Sequence, residues 1–155
     1  MGGKLNLDKL DLQIIQTMMA DAGISYADLG KQLFVSGGTI HVRIKKLQEI
    51  GIVKGTKLNV DLKLLGYDIT AFVGIFLEKS SLYDQVAEDL KRIPEIIRLN
   101  YTTGNYSMFL EVVAKDIAQL RFVLHDELQK IKGIERTETF ISLDESFNRN
   151  VPVAG

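Results

Sequence analysis

The sequence contains no cysteine and only two histidines. The lack of cysteine excludes disulfide bonds, thiolate metal sites and a cysteine nucleophile, and it fits a protein of a reducing compartment. We therefore expect the chain in the cytoplasm. Because His41 and His125 belong to different predicted domains, we predict neither a histidine metal site nor a catalytic histidine. We expect His125 on a helix surface or at a subunit contact.

Long hydrophobic runs are also missing. No stretch approaches the roughly 18 apolar residues that a membrane span requires, and Met1 to Leu5 do not open an apolar signal-peptide core. The sequence therefore predicts neither a membrane protein nor an exported one.

Positive charge is scarce over the chain as a whole but concentrated in one window. The formal net charge is −1, yet residues 31–57 carry six lysines and arginines against one acidic residue, which gives this window +5. From Asp61 onward, 11 basic residues stand against 15 acidic ones, which gives −4. A local basic patch on an otherwise acidic chain is typical of a regulator with a dedicated DNA-binding module.

The first 60 residues have the pattern of a winged helix-turn-helix domain. Apolar spacing and capping residues predict a helix from Asp8 to Ala20, a second from Ser25 to Leu33, and a third that Ser36 caps and that ends at Gly51. The alternation in Ile52 to Val60 predicts two short wing strands around a glycine turn. Residues 61–67 are the predicted linker, with Gly66 at a change of chain direction.

Residues 68–155 alternate strands and helices in the order βαββαβ. This order predicts a ferredoxin-like domain, an antiparallel sheet with both helices on one face, and an α+β fold overall. The predicted elements are strands at Ile69–Leu77, Ile96–Thr103, Tyr106–Ala114 and Ile134–Leu143, and helices at Tyr83–Ile93 and Ile117–Ile131.

The third helix carries a polar and basic surface around its apolar stripe, as a recognition helix does. The alternative is a three-helix bundle with a solvated basic face, but the wing and the focused charge favour DNA binding. The predicted DNA-binding residues are Ser36, Gly38, Thr39, His41, Val42, Arg43, Lys45, Lys46, Lys54 and Lys57.

The turn from Thr102 to Ser107 joins the two halves of the second domain. Its polar side chains flank Gly104, which lets a ligand approach the backbone, so a small-molecule site is one interpretation and an ordinary β-turn is the other. The sequence has no dinucleotide or P-loop motif, no metal-ligand spacing and no nucleophile with a base. We therefore predict no cofactor and no enzymatic activity, although an enzyme on a ferredoxin-like fold is the alternative.

Several motifs, in this order, resemble the Lrp/AsnC family of feast/famine transcription regulators over nearly the whole chain. They include the opening Asp8-Lys9-Leu10-Asp11, the Ile40 to Leu47 run, Leu65-Gly66-Tyr67-Asp68, and Thr103-Gly104-Asn105-Tyr106-Ser107. Gly38 to Arg43, Tyr101 to Gly104, and Thr137-Glu138-Thr139 followed by Ile141-Ser142-Leu143 are similar to its asparagine-responsive AsnC branch.

The resemblance implies a DNA-binding regulator that dimerises through its sheet, assembles into octamers or larger discs, and binds an effector between dimers. Many family members have an acidic residue where this chain has Ser107. The expected effector-binding residues are Tyr101, Thr103, Gly104, Asn105, Tyr106, Ser107, Thr137, Glu138 and Thr139.

The polar character of these residues favours asparagine, because a zwitterion and a carboxamide need hydroxyl, amide and backbone partners. Leucine or methionine is the alternative effector, and a ligand-independent architectural DNA-binding protein is the alternative function. We also expect a second subunit to cover one face of the sheet, where Phe72, Phe76, Phe109 and Phe140 lie.

Overall fold

The computed structural model describes residues 6–153 as two compact units. One unit extends through Asn59 and also includes the C-terminal segment from Phe147, and the other comprises Val60 to Ser146. The first five residues, for which the sequence predicts no signal peptide, lie outside the described part of the chain. Between residues 6 and 153, no helix is both long and apolar enough to cross a membrane.

The first unit contains the three predicted helices. They are α1 (Lys9–Ala20), α2 (Tyr26–Gln32) and α3 (Gly37–Glu49). Each begins as predicted, because the side chains of Asp8, Ser25 and Ser36 accept the backbone N–H three residues further on. Their apolar stripes meet in a core of Ile14, Leu29, Ile40 and Ile44.

The turn between α2 and α3 is tight. Val35 N donates to the carbonyl oxygen of Gly30 at 2.9 Å. A Cβ atom at Gly30 would collide with the backbone oxygen of Val35. Phe34 completes the turn with a left-handed backbone, φ +58°, and its side chain is 95% exposed. A non-glycine residue is uncommon in this conformation.

The segment after α3 differs from the prediction. Gly51, at φ +79°, ends α3, but Ile52 to Val60 form no strand in the structure. The predicted wing strands were therefore wrong: the alternation reflects an extended, solvent-exposed segment in which Leu58 is 92% exposed. An isolated two-stranded hairpin is only marginally stable in water, so alternation alone does not suffice to form one.

The C-terminal segment joins the first unit through a side-chain contact. Asn150 Nδ2 donates to the carbonyl oxygen of Met19 at 2.7 Å. Met19 lies in the last turn of α1, where backbone carbonyls lack partners within the helix. Asn150 therefore supplies a partner that α1 cannot provide for itself.

The second unit has the predicted βαββαβ order. Its elements are β1 (Ile69–Leu77), α4 (Tyr83–Leu90), β2 (Ile96–Tyr101), β3 (Met108–Ala114), α5 (Ile117–Phe122) and β4 (Ile134–Ile141). The strands form one antiparallel sheet in the order β2-β3-β1-β4, so β1 and β3 are central.

The second helical stretch is less regular than the sequence predicts. The α-helix ends at Phe122 and continues as a π-turn over Val123–Glu127 and a 3₁₀ turn over Leu128–Lys130. The wider π-turn closes with a hydrogen bond from Leu128 N to Val123 O, and both side chains are buried in the core. Fitting both apolar side chains to the sheet explains the change of helix type.

The two faces of the sheet have different chemistry. One face carries Val73, Ile75 and Leu110, which pack with Val86 and Leu90 of α4 in the core. The other, which we call the outer face, carries residues that alternate with these along the strands. They include Phe72, Gly74 and Phe76 of β1, Phe109 and Glu111 of β3, and Arg136, Glu138 and Phe140 of β4.

Candidate DNA-binding surface and effector site

The helix α3 presents a continuous exposed stripe opposite its buried one. Gly38, His41, Val42 and Lys45 recur at the three- and four-residue spacing of one helix face, and all four are exposed. Val42 is 67% exposed, which is unusual for an aliphatic side chain on a helix with a filled core. The stripe therefore combines a ring, an apolar group and a cation on one accessible surface.

The beginning of α3 is locked by two hydroxyl groups. Ser36 Oγ accepts Thr39 N at 3.0 Å, and the two hydroxyl oxygens are 2.9 Å apart. One hydroxyl donates to the other, so each side chain keeps part of its hydrogen-bonding capacity for another partner. The cap thus places two short polar groups at the start of the exposed stripe.

Arg43 has partners within the first unit. Its Nη1 donates to Asp8 Oδ2 and, at 2.8 Å, to Asp11 Oδ1, whose side chain is buried. The same two aspartates form the capping box of α1, and the hydrogen bond from Arg43 lowers the pKa of Asp8. Arg43 therefore joins α3 to the start of α1, which argues against its predicted role at a phosphate.

The other predicted cations of this surface are exposed. Lys45 and Lys46 lie on α3, whereas Lys54 and Lys57 lie on the extended segment that follows it. His41 contacts the ring of Tyr26 on α2, with the two ring centroids 5.8 Å apart. Tyr26 was not among the predicted site residues, and its contact depends on how α2 packs on α3.

The turn after β2 holds part of the predicted effector site. Thr102 closes the turn, because its N–H donates to Ser107 O at 3.2 Å and its hydroxyl donates to Tyr106 O at 2.8 Å. Thr103, Gly104 and Asn105 are exposed at its tip, with Gly104 at φ +102°. A glycine is favoured there because other residues are strained at positive φ.

Ser107 continues the sheet rather than facing solvent. Its N–H donates to Ile75 O at 2.8 Å, and its hydroxyl oxygen accepts Leu77 N at 3.4 Å. Ser107 supplies no charge, so a carboxylate near this turn must come from another residue.

Tyr106 and Glu138 meet on the outer face, beside a cavity of about 340 Å³ that Phe76, Asn105, Tyr106, Arg136 and Glu138 line. Tyr106 Oη donates to Glu138 Oε2 at 2.6 Å, and Arg136 Nη1 donates to Glu138 Oε1 at 2.8 Å. The Arg136 guanidinium carbon lies 3.6 Å from the centroid of the Phe76 ring, a cation–π contact. The volume is within the range of small-molecule sites.

The hydrogen bonds fix the charge states in this cavity. The hydrogen bond from Tyr106, and then that from Arg136, lower the pKa of Glu138, while the same bond to Glu138 raises the pKa of Tyr106. At neutral pH the cavity therefore holds a carboxylate, a guanidinium and a protonated phenol.

The structure does not bring all the predicted effector residues together. Thr137 and Thr139 pair with Ile75 and Val73, so they point to the opposite side of β4 from Glu138. The ring of Tyr101 contacts that of Tyr83 of α4 at a tilt, with centroids 4.4 Å apart, on the helix-bearing face. These three residues lie apart from the cavity in a single chain.

Three residues of the cavity region were not among the predicted effector-binding residues. Arg136 is two residues before Glu138 on one strand, so strand alternation could have indicated it. Phe76 and Gly74 come from β1, and only the pairing register of β1 with β4 reveals them. Between residues 6 and 153, the structure contains no cluster of three histidine or acidic residues arranged to bind a metal.

Comparison with known proteins assigns both parts of the chain. Residues 7–54 match the winged helix-turn-helix DNA-binding family model, and residues 70–152 match that of the Lrp/AsnC ligand binding domain. The chain is 42% identical to the regulatory protein AsnC of Haemophilus influenzae, over 94% of this chain and 97% of the relative. The chain belongs to the Lrp/AsnC family.

Solved structures of other proteins have the same fold. The structure of Escherichia coli AsnC aligns with a TM-score of 0.89 and 38% identity, over 94% of this chain and 98% of that one. A Neisseria meningitidis transcriptional regulator, solved with L-methionine, aligns with a TM-score of 0.87 but only 19% identity, over 92% and 94% of the two chains. That second likeness shows the fold alone.

The predicted class of function and the α+β fold are thereby confirmed. The chain is a DNA-binding transcription regulator of the Lrp/AsnC family, with a ligand-binding domain after its helix-turn-helix domain. The matched relatives are regulatory proteins rather than enzymes.

Proposed function

We propose that α3 is the recognition helix of this regulator and enters the major groove of its operator. The exposed stripe on α3 carries this proposal, because it offers His41 for hydrogen bonds to base edges and Val42 for a thymine methyl group. Thr39, beside the stripe, adds a hydroxyl group for the same purpose. Ser36 and Gly38 lie at the start of the helix, close to the same groove. Lys45, Lys46, Lys54 and Lys57 neutralise phosphates, whereas Arg43 holds α3 in place.

The salt dependence of binding tests the phosphate contacts. Each lost contact should reduce the slope of log affinity against log salt by about 0.9, so Lys46→Ala and Lys57→Ala should each do so. A duplex of arbitrary sequence suffices, because phosphate contacts do not depend on sequence. Lys79→Ala, an exposed lysine of the second unit, is the control and should leave the slope unchanged. Unchanged slopes in all three variants would place the DNA surface elsewhere.

We infer that the second unit senses an amino acid, with asparagine as the favoured effector. The support is the polar turn at Thr103, Gly104 and Asn105 beside a cavity that holds both a carboxylate and a guanidinium. The naming of relatives at 39–42% identity as AsnC points the same way. Thr137, Thr139 and Tyr101 lie apart from the cavity of their own chain. They can therefore contact an effector only in a site that is formed with another subunit.

Ligand-induced stabilisation tests the effector. A ligand that binds only the folded protein stabilises it by about 2.7 kcal/mol at a hundredfold excess over the dissociation constant. We expect L-asparagine to raise the melting temperature and Gly104→Val to remove the response. Gly55→Val is the control, because Gly55 also has positive φ but lies in the first unit. If only leucine or methionine stabilises the protein, that amino acid replaces asparagine as the proposed effector. If no amino acid stabilises it, the result favours a ligand-independent architectural DNA-binding protein.

We propose that a second copy covers the apolar half of the outer face, as the first step of an octamer or a larger assembly. Phe72 and Phe109 stack there, and Phe140 is 48% exposed. Phe140→Lys should shift sedimentation towards the monomer, while Phe34→Lys, at an exposed phenylalanine of the first unit, should not. A stable wild-type monomer at micromolar concentration would contradict this assembly.

The remaining parts of the proposal follow from this function. We infer that the protein acts in the cytoplasm and that it regulates rather than catalyses. The division into residues 1–60, a linker at 61–67 and residues 68–155 stays a prediction, to be tested by limited proteolysis at the linker.

A further inference from the structure

We propose that Tyr26 is a positioning residue of the DNA-binding surface, because its ring holds the His41 imidazole in the orientation in which α3 presents it to a base edge. The inference rests on the proposed role of α3 as the recognition helix, and it names a residue outside that helix on which base preference depends. It follows from the packing of α2 on α3, from the ring contact and from the polar groups that this contact leaves free.

The starts of α2 and α3 approach each other at two glycines. A Cβ atom at Gly30 would lie 2.6 Å from Val35 O, so Gly30 keeps the turn between the helices tight. A Cβ atom at Gly37 would lie 3.4 Å from the backbone N and Cα atoms of Ala27, so the two backbones lie close together where the helices begin. Backbone contacts therefore set the relative position of the two helix starts.

His41 lies one helical turn after Gly37, on the same face of α3. Because side chains on a helix lean towards its N-terminus, the imidazole reaches back over Gly37 to Tyr26, the first residue of α2. The two ring centroids are 5.8 Å apart at an interplanar angle of 42°. Aromatic rings attract each other at this separation. The packing of the helices thus places one ring against the other.

The contact restricts His41 without using its polar groups. Both side chains are exposed. Within residues 6–153, the side-chain hydrogen bonds at the starts of α2 and α3 involve the capping residues Ser25 and Ser36, and neither the Tyr26 hydroxyl group nor the His41 ring has a partner. The two ring nitrogens of a neutral histidine, one a donor and one an acceptor, therefore remain available to a base edge.

A held imidazole recognises its base better than a mobile one. Immobilising a free side chain on binding costs a factor of about 2–10 in affinity. Tyr26 lowers this cost in advance, but only where His41 meets the base that it recognises. Phosphate contacts do not involve His41 and gain nothing. We therefore expect Tyr26 to increase sequence preference at one base pair without increasing general affinity for DNA.

Sequence selection with the full chain tests this expectation. The probe is a library of random DNA duplexes, from which the wild type and each variant select their preferred sequences. His41→Ala identifies the base pair that His41 reads, as the position at which a preference of at least about fivefold falls towards one. Tyr26→Leu, which removes the aromatic ring, should reduce the preference at that position by a factor of about 2–10 and leave the other positions unchanged.

Three further measurements separate positioning from other effects. Tyr26→Phe, which keeps the ring, should retain the wild-type preference. In the His41→Ala background, Tyr26→Leu should change no preference further, because the two residues act through one contact. Gln32→Ala, at an exposed residue at the other end of α2, is the control and should leave every preference unchanged.

The ring contact can also be followed without DNA. Because the chain has only two histidines, isotope labelling of the histidine rings gives two NMR signals, and His41→Ala assigns them. The His41 signal should shift in Tyr26→Leu, because the neighbouring aromatic ring is gone, and should stay in place in Tyr26→Phe. Far-UV circular dichroism shows that the variants retain their fold, and Tyr26→Gln replaces Tyr26→Leu if the latter does not.

The outcomes distinguish the inference from the proposal on which it rests. If His41→Ala removes one preference that Tyr26→Leu leaves intact, the positioning role is overturned and α3 remains the recognition helix. Equal losses for Tyr26→Leu on selected and arbitrary duplexes, or a loss in Tyr26→Phe as large as that in Tyr26→Leu, would make Tyr26 a direct DNA contact and overturn the role as well. If His41→Ala changes no preference, base reading by His41 itself is wrong.

Discussion

Replacing Phe34 with glycine should stabilise the first unit. Phe34 has a left-handed backbone and an almost fully exposed ring. A side chain in this conformation costs roughly 1–2 kcal/mol, and an exposed ring recovers little by burial. Glycine removes that cost but loses about 0.5–1 kcal/mol through its greater freedom in the unfolded chain. The expected net gain in the free energy of unfolding is about 0.5–1 kcal/mol.

Two further variants separate the backbone effect from the loss of the ring. Phe34→Ala removes the ring but keeps a Cβ atom at positive φ, so its stability should stay close to that of the wild type. Gly51→Ala makes the opposite change where φ is +79° and nothing lies within 4 Å of the added Cβ. It should therefore lower the free energy of unfolding by about 1 kcal/mol through strain alone.

Urea denaturation followed by far-UV circular dichroism measures these differences, and native-state hydrogen exchange of the buried α1 and α3 amides assigns them to the first unit. In a thermal melt the gain corresponds to a rise of about 2 °C for a chain of this size. A Phe34→Gly variant no more stable than the wild type, beside an unchanged Phe34→Ala, would refute the strain argument.

Three other predictions concern single contacts. Ser36→Ala should lower the free energy of unfolding of the first unit by about 1 kcal/mol in a denaturation experiment, and no change would mean that α3 begins elsewhere. Because Arg43 lowers the pKa of Asp8, the stability from this pair should be complete above about pH 4 and be lost as the pH falls through the lowered folded value. Arg43→Gln should remove that acid-dependent loss, and equal loss in both proteins would contradict the pairing. Tyr106→Phe should raise the pKa of Glu138 towards its usual value in a carboxyl NMR titration, whereas an unmoved pKa would mean that the hydrogen bond does not persist in solution.

Local signals in the sequence were sufficient for most of the elements, but not for the wing or for the irregular end of α5. Asp8, Ser25 and Ser36 each cap a helix by accepting the backbone N–H three residues further on. Each cap can therefore be recognised without knowing the fold. The strand β1 has the predicted bounds, since its continuous apolar run is typical of a central strand. The wing strands failed because alternation indicates extended backbone but does not show whether that backbone has a strand to pair with.

The candidate sites depended on contacts between distant residues. Arg43 is a residue type that commonly contacts phosphate. Its partner Asp11, however, lies 32 residues earlier and becomes a neighbour only when α1 packs on α3. In the same way, Gly74 and Glu138 meet through the register of β1 and β4. A one-residue change of that register would turn Glu138 to the other face, and no local pattern sets it.

The contact between Asn150 and Met19 bears on the order of events during synthesis. Because synthesis starts at the N-terminus, α1 is made before the second unit and Asn150 is made after it. The helix-turn-helix therefore folds at first without the partner of its Met19 carbonyl. It can form that hydrogen bond only after Asn150 has left the exit tunnel, so one contact of the first unit waits for the synthesis of the second.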